Sequence, residues 1–525
     1  MSERERVLAE WELVVGMEVH AQLNTRSKLF CACALSFAAE PNTRTCPTCL
    51  GLPGALPVLN GAALEKCLRL ALALGCRVEG RTSFDRKNYF YPDLPKNYQI
   101  SQLYEELGRD GRLTLLRSGK QVGIGNVHLE EDAGKLSHLP GGLTAVDLNR
   151  AGTPLAEIVT RPDFRSVAEV DDYMETLTVL LRALDVCECR MQEGNLRFEA
   201  SVSVRPRGSE ALGERTEIKN LNSYAAVRRA VTFEQARQVA LHLSGRRPRQ
   251  ETRLWDEEAP GHPAQEDPAA WEAGLDDAHR APREAVLRLL PPDWQDERGR
   301  LARTRFMRSK ESAHDYRYFP EPDLPVFALE PALIERLRGE LPELPGPRRA
   351  RWVAAGVEQR PAEDLARDPQ LSAWCDRLVA LGVPPAEAAS YGLNQLRALL
   401  NARGLGAGES PVPPEHVAEL HGLVASGKLP KDLAWKQVWP KLVEEGLPPA
   451  AVIQKHGIAA ADEGAVDAAV DAAWAANDKA RADLLAGKER ARGALVGAVM
   501  KALQGKASPQ RINARLDELL REARG

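Results

Sequence analysis

The sequence predicts an α+β fold, an antiparallel sheet with flanking helices followed by an all-helical region. Three patterns carry this: period-two alternation in the N-terminal part, helix-period stretches between those strands, and helical pattern alone after about residue 330. In LVVGMEVHAQL (13–23), Met17, Val19, Ala21 and Leu23 alternate with Glu18, His20 and Gln22, a strand with one apolar and one polar face. TPLAEIVT (153–160) and FEASVSVR (198–205) repeat the pattern, and ERTEIKNLNS (214–223) is a shorter version. Carboxylates, hydroxyls and a histidine line the polar face, more than solubility requires.

GAALEKCLRLALALG (61–75) and VAEVDDYMETLTVLLRALD (167–185) supply the flanking helices. From 258 to about 304 the composition shifts to Pro, Ala and charge, which reads as an insertion or mobile surface loop. The helical remainder breaks at GLGAGESPVPPEH (404–416), and Val466, Val470 and Trp474 form an apolar stripe near the end.

A chain of 525 residues is too long for one core and divides into domains. Its 44% hydrophobic and 27% charged content is ordinary for a globular protein. No apolar run reaches the roughly 18 residues of a membrane helix, and the start lacks the order of a signal peptide, so a cytoplasmic protein with no membrane partner is expected. The net charge of −4 leaves any nucleic-acid contact to local patches. There is no P-loop, nucleophile elbow or Cys–His signature, which argues against a Walker-type nucleotide site and a covalent hydrolase.

Cys31, Cys33, Cys46 and Cys49 are spaced C-x-C-x12-C-x2-C, which suits a tetrahedral structural Zn2+ with no open position for catalysis. Cys187 and Cys189 have no second pair and read as core thiols. HLEEDAGKLSH (128–138) sets Glu130, Glu131 and Asp132 side by side. Alone, such a run is usually a solvated turn. Four separate segments delivering polar groups to one sheet face favour a site. In an extended segment Glu130 and Asp132 point one way and Glu131 the other, dividing the charge between a site and its support. Carboxylates with one imidazole suit Mg2+ or Mn2+, which commonly bridges nucleotide phosphates.

FDRKNYFYPDLPKNYQISQ (84–102) interleaves aromatics with Arg86, Lys87 and Lys96, in a chain only 5% aromatic. It reads equally as a base-stacking, phosphate-gripping surface or as a core loop pinned by Pro92 and Pro95. SKESAHDYRYFPEPDLP (309–325) mixes charge and aromatics similarly and fits a site or a subunit contact. Residues 488–525 hold nine Lys/Arg against four Asp/Glu, a local +5 that matches a phosphate backbone or a solvated helix face.

VGMEVHAQL, the CAC/CPTCLGLPGALPVLN stretch, FDRKNYFYPDLPKNYQISQ, HLEEDAGK, VDLNRAGTPLAEIVT, EIKNLNSY, DYRYFPEPDLP and LVGAVMKALQGKASPQ together resemble the B subunit of the bacterial aspartyl/glutamyl-tRNA amidotransferase, across nearly the whole chain. The resemblance implies a heterotrimer with an amidase (A) subunit and a small C subunit. It implies ATP and Mg2+ used to phosphorylate the side-chain carboxylate of Glu-tRNA(Gln) or Asp-tRNA(Asn), with ammonia displacing the phosphate. It implies a cradle domain at 1–335 carrying the zinc and ATP/Mg sites, a helical domain at 336–412, and a helical, tRNA-binding tail at 413–525. By motif match His20, Glu131 and Glu157 look like metal ligands, with Glu18 close by; Glu18 and Lys135 are taken as the catalytic pair, Lys135 read from its place after the acidic run as a phosphate contact. Substrate and nucleotide contacts fall on Arg86, Lys87, Tyr89, Tyr91, Ser201 and Arg205. Glu199 and Ser201 stand where the family usually has aspartate and asparagine, which puts a ligand role there in doubt. Two rivals remain: a non-catalytic, zinc-stabilised RNA-binding scaffold, and a metal-dependent phosphotransferase acting on a small acid.

Overall fold

The computed structural model describes residues 1–257, 271–294, 301–309, 313–459, 461–503 and 506–524. They form two compact units, Met1–Pro347 and Arg348–Gly525.

The first unit is built on an eight-stranded sheet. Its strands in chain order are β1 Trp11–Gln22, β2 Gly108–Thr114, β3 Gln121–Glu131, β4 Pro154–Thr160, β5 Leu196–Pro206, β6 Thr216–Leu221, β7 Glu251–Asp256 and β8 Arg303–Ser309. They lie in the order β8-β7-β6-β5-β1-β4-β3-β2. Neighbours are antiparallel except β6 and β7, which run parallel. The α+β expectation therefore holds.

Alternation along β1 buries Leu13, Val15, Met17, Val19 and Ala21. Against this apolar face pack α1 (Gly61–Ala73), α2 (Val167–Ala183) and α3 (Tyr224–Leu243). Each starts where a side chain satisfies first-turn N–H groups: Asn60 for α1, Ser166 for α2 and Ser223 for α3. The opposite face keeps the polar residues. A three-stranded sheet of Phe319–Pro320, Asp85–Asn88 and Tyr98–Ser101 meets the end of β3, where Ile100 N donates to Glu131 Oε1 at 2.9 Å and Ser101 Oγ to Glu130 Oε2 at 3.0 Å.

The expected mobile insertion at 258–304 is corrected where it is described; 258–270 and 295–300 lie outside the described residues. Trp271 and Trp294 are buried, with ring centroids 6.3 and 6.5 Å from that of Phe233 on α3, and α4 (Arg283–Leu289) buries Val286 and Leu289. Arg253, fully buried, donates to Thr304 Oγ1 at 2.9 Å, to Glu251 Oε1 at 2.9 Å and to Glu272 Oε2 at 3.1 Å. A few large apolar anchors thus root a segment whose average composition looks solvated.

In the second unit, one apolar cluster runs from Trp352 to Ile458 and another from Val466 to Leu520. Val412, Val417 and Leu420 belong to the first cluster, and Trp374 Nε1 donates to Val412 O at 3.1 Å. The expected boundary at 412/413 therefore crosses one core; the proline-rich break is a turn within it. The helix Pro331–Gly339 buries Leu337 in the sheet's core, so the first unit extends past 335. Among the described residues no helix is long and apolar enough to cross a membrane.

Candidate active site

Three adjacent strands bring one row of side chains together. His20 on β1 stands opposite Glu157 on β4, and Glu157 stands opposite His128 on β3. The pleat turns all three to the polar face, and Glu18 and Glu130, two residues from the histidines, flank the row. His20 Nε2 lies 3.4 Å from Glu157 Oε2, 3.6 Å from Glu130 Oε1 and 3.7 Å from Glu18 Oε1. His128 Nε2 lies 3.1 Å from Glu157 Oε2 and 3.9 Å from Glu130 Oε2. Donor atoms of Glu18, His20 and Glu157 fall within 4.8 Å of one another, as do those of His128, Glu130 and Glu157.

Burial alone would neutralise these groups, and their proximity reverses that. Burial lowers the histidines, but Glu157, Glu130 and Glu18 lift His20 to about 9, and Glu157 and Glu130 lift His128 to about 10. Burial raises Glu157, and the two imidazoles hold it well below the usual carboxylate range. Burial and the charge of Glu157 push Glu18 up to about 7. Burial opposes the charge of Lys87, yet Tyr318, Glu130 and Glu157 keep it above the ordinary lysine value. Protons on two imidazoles thus balance carboxylates that a divalent cation would also balance. Two donor sets that share Glu157, one with Glu18 and His20 and the other with His128 and Glu130, each fit such an ion.

Glu131 departs from its expected role. It follows Glu130 in an extended strand, so it faces the other way; it pairs with Lys96 and accepts from Ile100 N at 2.9 Å. Glu130 and His128 stand with His20 and Glu157 instead. Motif matching passes over His128, although the alternation of His128, Glu130 and Asp132 on one face is readable in the sequence.

Lys135 is also displaced from its expected place. It opens an exposed two-stranded ribbon, Lys135–Leu139 with Leu143–Asp147, while Lys87 is the lysine on which the charges of Glu130 and Glu157 act, its Nζ 4.9 Å over the Tyr316 ring. Arg86 donates to Glu321 at 2.7 and 2.8 Å and to Asp323 at 3.1 Å, with its guanidinium 4.1 Å over the Tyr98 ring. Arg205 donates to Glu12 at 2.6 Å and to Glu210 O at 2.9 Å. Both arginines are engaged in ion pairs that hold the fold. Tyr89 stacks edge-on with Tyr316, 6.1 Å between centroids, and Tyr91 is exposed. Ser201 lines a cavity of about 400 Å³ with Ser203, Arg215 and Glu18.

Cys31, Cys33, Cys46 and Cys49 converge with their sulfurs within 4.8 Å of one another. Cys49 Sγ accepts from Cys46 N at 3.2 Å and from the buried Lys28 Nζ at 3.5 Å, and Cys31 and the Cys46 N–H help pull the Cys49 thiol down to about 4. A donor set of four sulfurs with cationic support fits a closed zinc site. A second cavity of about 340 Å³ separates it from Lys96 and Glu131.

The basic tail carries less free charge than its composition suggests. Arg511 pairs with Asp467, Arg515 Nε lies 3.0 Å from Asp471, and Arg492 Nη1 lies 2.7 Å from Asp517.

A sheet whose polar face gathers acids and imidazoles, beside four converging thiols, is the architecture of an enzyme's catalytic domain. Residues 13–268 and 289–335 match the family described as the GatB/GatE catalytic domain, and 374–520 match the GatB domain. The unmatched stretch, 269–288, is narrower than the expected insertion. Proteins named as the B subunit of an aspartyl/glutamyl-tRNA(Asn/Gln) amidotransferase are similar along their length. That of Moorella thermoacetica is 44% identical over 518 residues, 97% of this chain and 100% of the relative. That of Anaeromyxobacter sp. is 43% identical over 519 residues, 97% and 98%. That of Carboxydothermus hydrogenoformans is 40% identical over 522 residues, 98% and 99%. The chain belongs to this family of amidotransferase B subunits.

Proposed function

We propose that the chain is the carboxylate-activating subunit of a tRNA-dependent, glutamine-hydrolysing amidotransferase. The observation that carries this is the His20–Glu157–His128 row with Glu18 and Glu130 beside it. A carboxylate is a poor electrophile because its leaving group is oxide. One oxygen of the substrate's side-chain carboxylate attacks the γ-phosphorus of ATP, ADP departs, and an acyl phosphate forms. Ammonia then attacks its carbonyl carbon, phosphate leaves with the transferred oxygen, and the nitrogen sheds its proton.

Glu18, His20, His128, Glu130 and Glu157 would hold Mg2+, which would supply charge neutralisation at the phosphates. Lys87, facing Glu130 and Glu157, is positioned to meet a phosphoryl oxygen. The cavity beside Glu18 and Ser201 has the size of a ligand site and is our choice for the nucleotide. The four cysteines would hold a structural zinc. The ammonia would come from an amidase partner, held in place by a small third protein, and the helical tail would carry tRNA. A non-catalytic RNA-binding scaffold has no use for three crowded carboxylates, whose mutual repulsion only a bound cation or proton relieves.

The complex copurified with its partner subunits and supplied with ATP, glutamine and misacylated tRNA tests this reading. Conversion to Gln-tRNA(Gln) or Asn-tRNA(Asn) that stops on removal of Mg2+ supports it. ATP turnover with free glutamate and indifference to charged tRNA would point instead to a small-acid phosphotransferase.

A further inference from the structure

The proposed reaction brings an anion, the substrate's side-chain carboxylate, to a face already carrying Glu18, Glu130 and Glu157. Some cation must receive it. Lys219, on the same side of the sheet, is engaged by Glu199 at 2.6 Å and Glu217 at 3.0 Å. Arg150 donates to Ala133 O at 3.0 Å and also bonds Gly134 O. Lys87 feels the charges of Glu130 and Glu157 and has its Nζ 4.9 Å over the Tyr316 ring.

Arg197 differs from all three. It sits on β5 directly opposite His20 on β1, so the pleat sends it to the polar face beside the row. One terminal nitrogen donates to Asp132 Oδ1 at 3.0 Å, while its buried Nε has no hydrogen-bond partner. The side chain is one-third exposed. Asp132 is itself fixed: Gln22 Nε2 donates to its Oδ2 at 2.9 Å, and Arg150 Nε lies 3.5 Å from that oxygen. Asp132 therefore orients a guanidinium with donor capacity left over. The planar fork of a guanidinium matches a carboxylate in a way an ammonium does not.

We propose that Arg197 binds the side-chain carboxylate of the esterified amino acid and holds it for phosphorylation, with Asp132 as its positioning residue. This rests on the function proposed above.

The test uses the complete complex with Arg197→Ala, Arg197→Lys and Asp132→Asn. With Arg197→Ala, kcat/KM for misacylated tRNA falls about a hundredfold, the typical cost of one preorganised donor, while uncharged tRNA binds as before. Added guanidinium ion restores a large part of the Arg197→Ala rate. Arg197→Lys keeps the charge and melting temperature but loses most of the rate. Asp132→Asn lowers kcat more than it raises KM and does not respond to guanidinium. Amidation by Arg197→Ala or Arg197→Lys close to wild type, or a loss in Arg197→Ala that guanidinium leaves untouched, overturns the assignment. An inactive wild-type complex overturns the parent reading along with it; an active wild type with unaffected variants overturns this one alone.

Discussion

Glu130 and Glu131 are consecutive in the chain and serve opposite faces of β3: Glu130 Oε1 stands 3.6 Å from His20 Nε2, while Glu131 pairs with Lys96 and accepts from Ile100 N at 2.9 Å. Two identical side chains in one EED run therefore answer to different chemistry.

This division predicts different phenotypes. Glu130→Gln removes a cation ligand, so Mn2+ affinity drops at least about tenfold. Glu131→Gln leaves the largely buried Lys96 without its counter-charge, which costs about 3 kcal/mol of stability and leaves Mn2+ affinity close to wild type. Mn2+ titration by electron paramagnetic resonance and thermal melts of both variants separate the effects. Equal loss of Mn2+ binding in both would merge the two faces.

Cation binding should expel protons. His20 and His128 are raised to about 9 and about 10 by their carboxylates, so both are protonated near neutrality before an ion binds. A ligating imidazole must be neutral, so apparent affinity for Mn2+ rises with pH toward about 9 and flattens above about 10. Calorimetry in two buffers of different ionisation enthalpy reads the protons released. An affinity that falls with rising pH contradicts the arrangement.

The cysteine site should hold one zinc per chain and act on structure only. Cys46→Ser or prolonged chelation releases the metal and opens the segment around residues 31–56 to protease. Metal analysis with limited proteolysis reads this. Retained protection after complete zinc loss would show that hydrogen bonds alone hold the loop.

In the tail, paired and unpaired cations should behave differently. Arg511→Ala removes the partner of Asp467 and lowers the melting temperature only slightly, as surface ion pairs do, with tRNA affinity unchanged. Lys501→Ala with Lys506→Ala, both exposed, lowers tRNA affinity and flattens its salt dependence. Filter binding across a salt series distinguishes them; an unchanged slope removes the tail from the RNA footprint.

Much of the sheet was readable locally. Alternation placed β1, β4 and β5 within two residues of their observed ends, because one buried face imposes the period. Strand order was not readable: that β4 lies between β1 and β3 depends on contacts distant in sequence, and this order brings His128 to Glu157. The ion pairs of Arg86 with Glu321 and Arg205 with Glu12 are equally non-local and cannot be read from the local sequence. The segment at 271–294 misled in another way. Two tryptophans and the Arg253–Glu272 contact decide its burial, and an average over Pro, Ala and charge hides them.

The most direct measurement is ATP- and glutamine-dependent amidation of misacylated tRNA by the complete complex carrying Glu157→Gln, the one acid shared by both donor groups. Loss of at least about a hundredfold in rate, with tRNA affinity unchanged, is the predicted result. Amidation at the wild-type rate would mean that this face holds no catalytic cation.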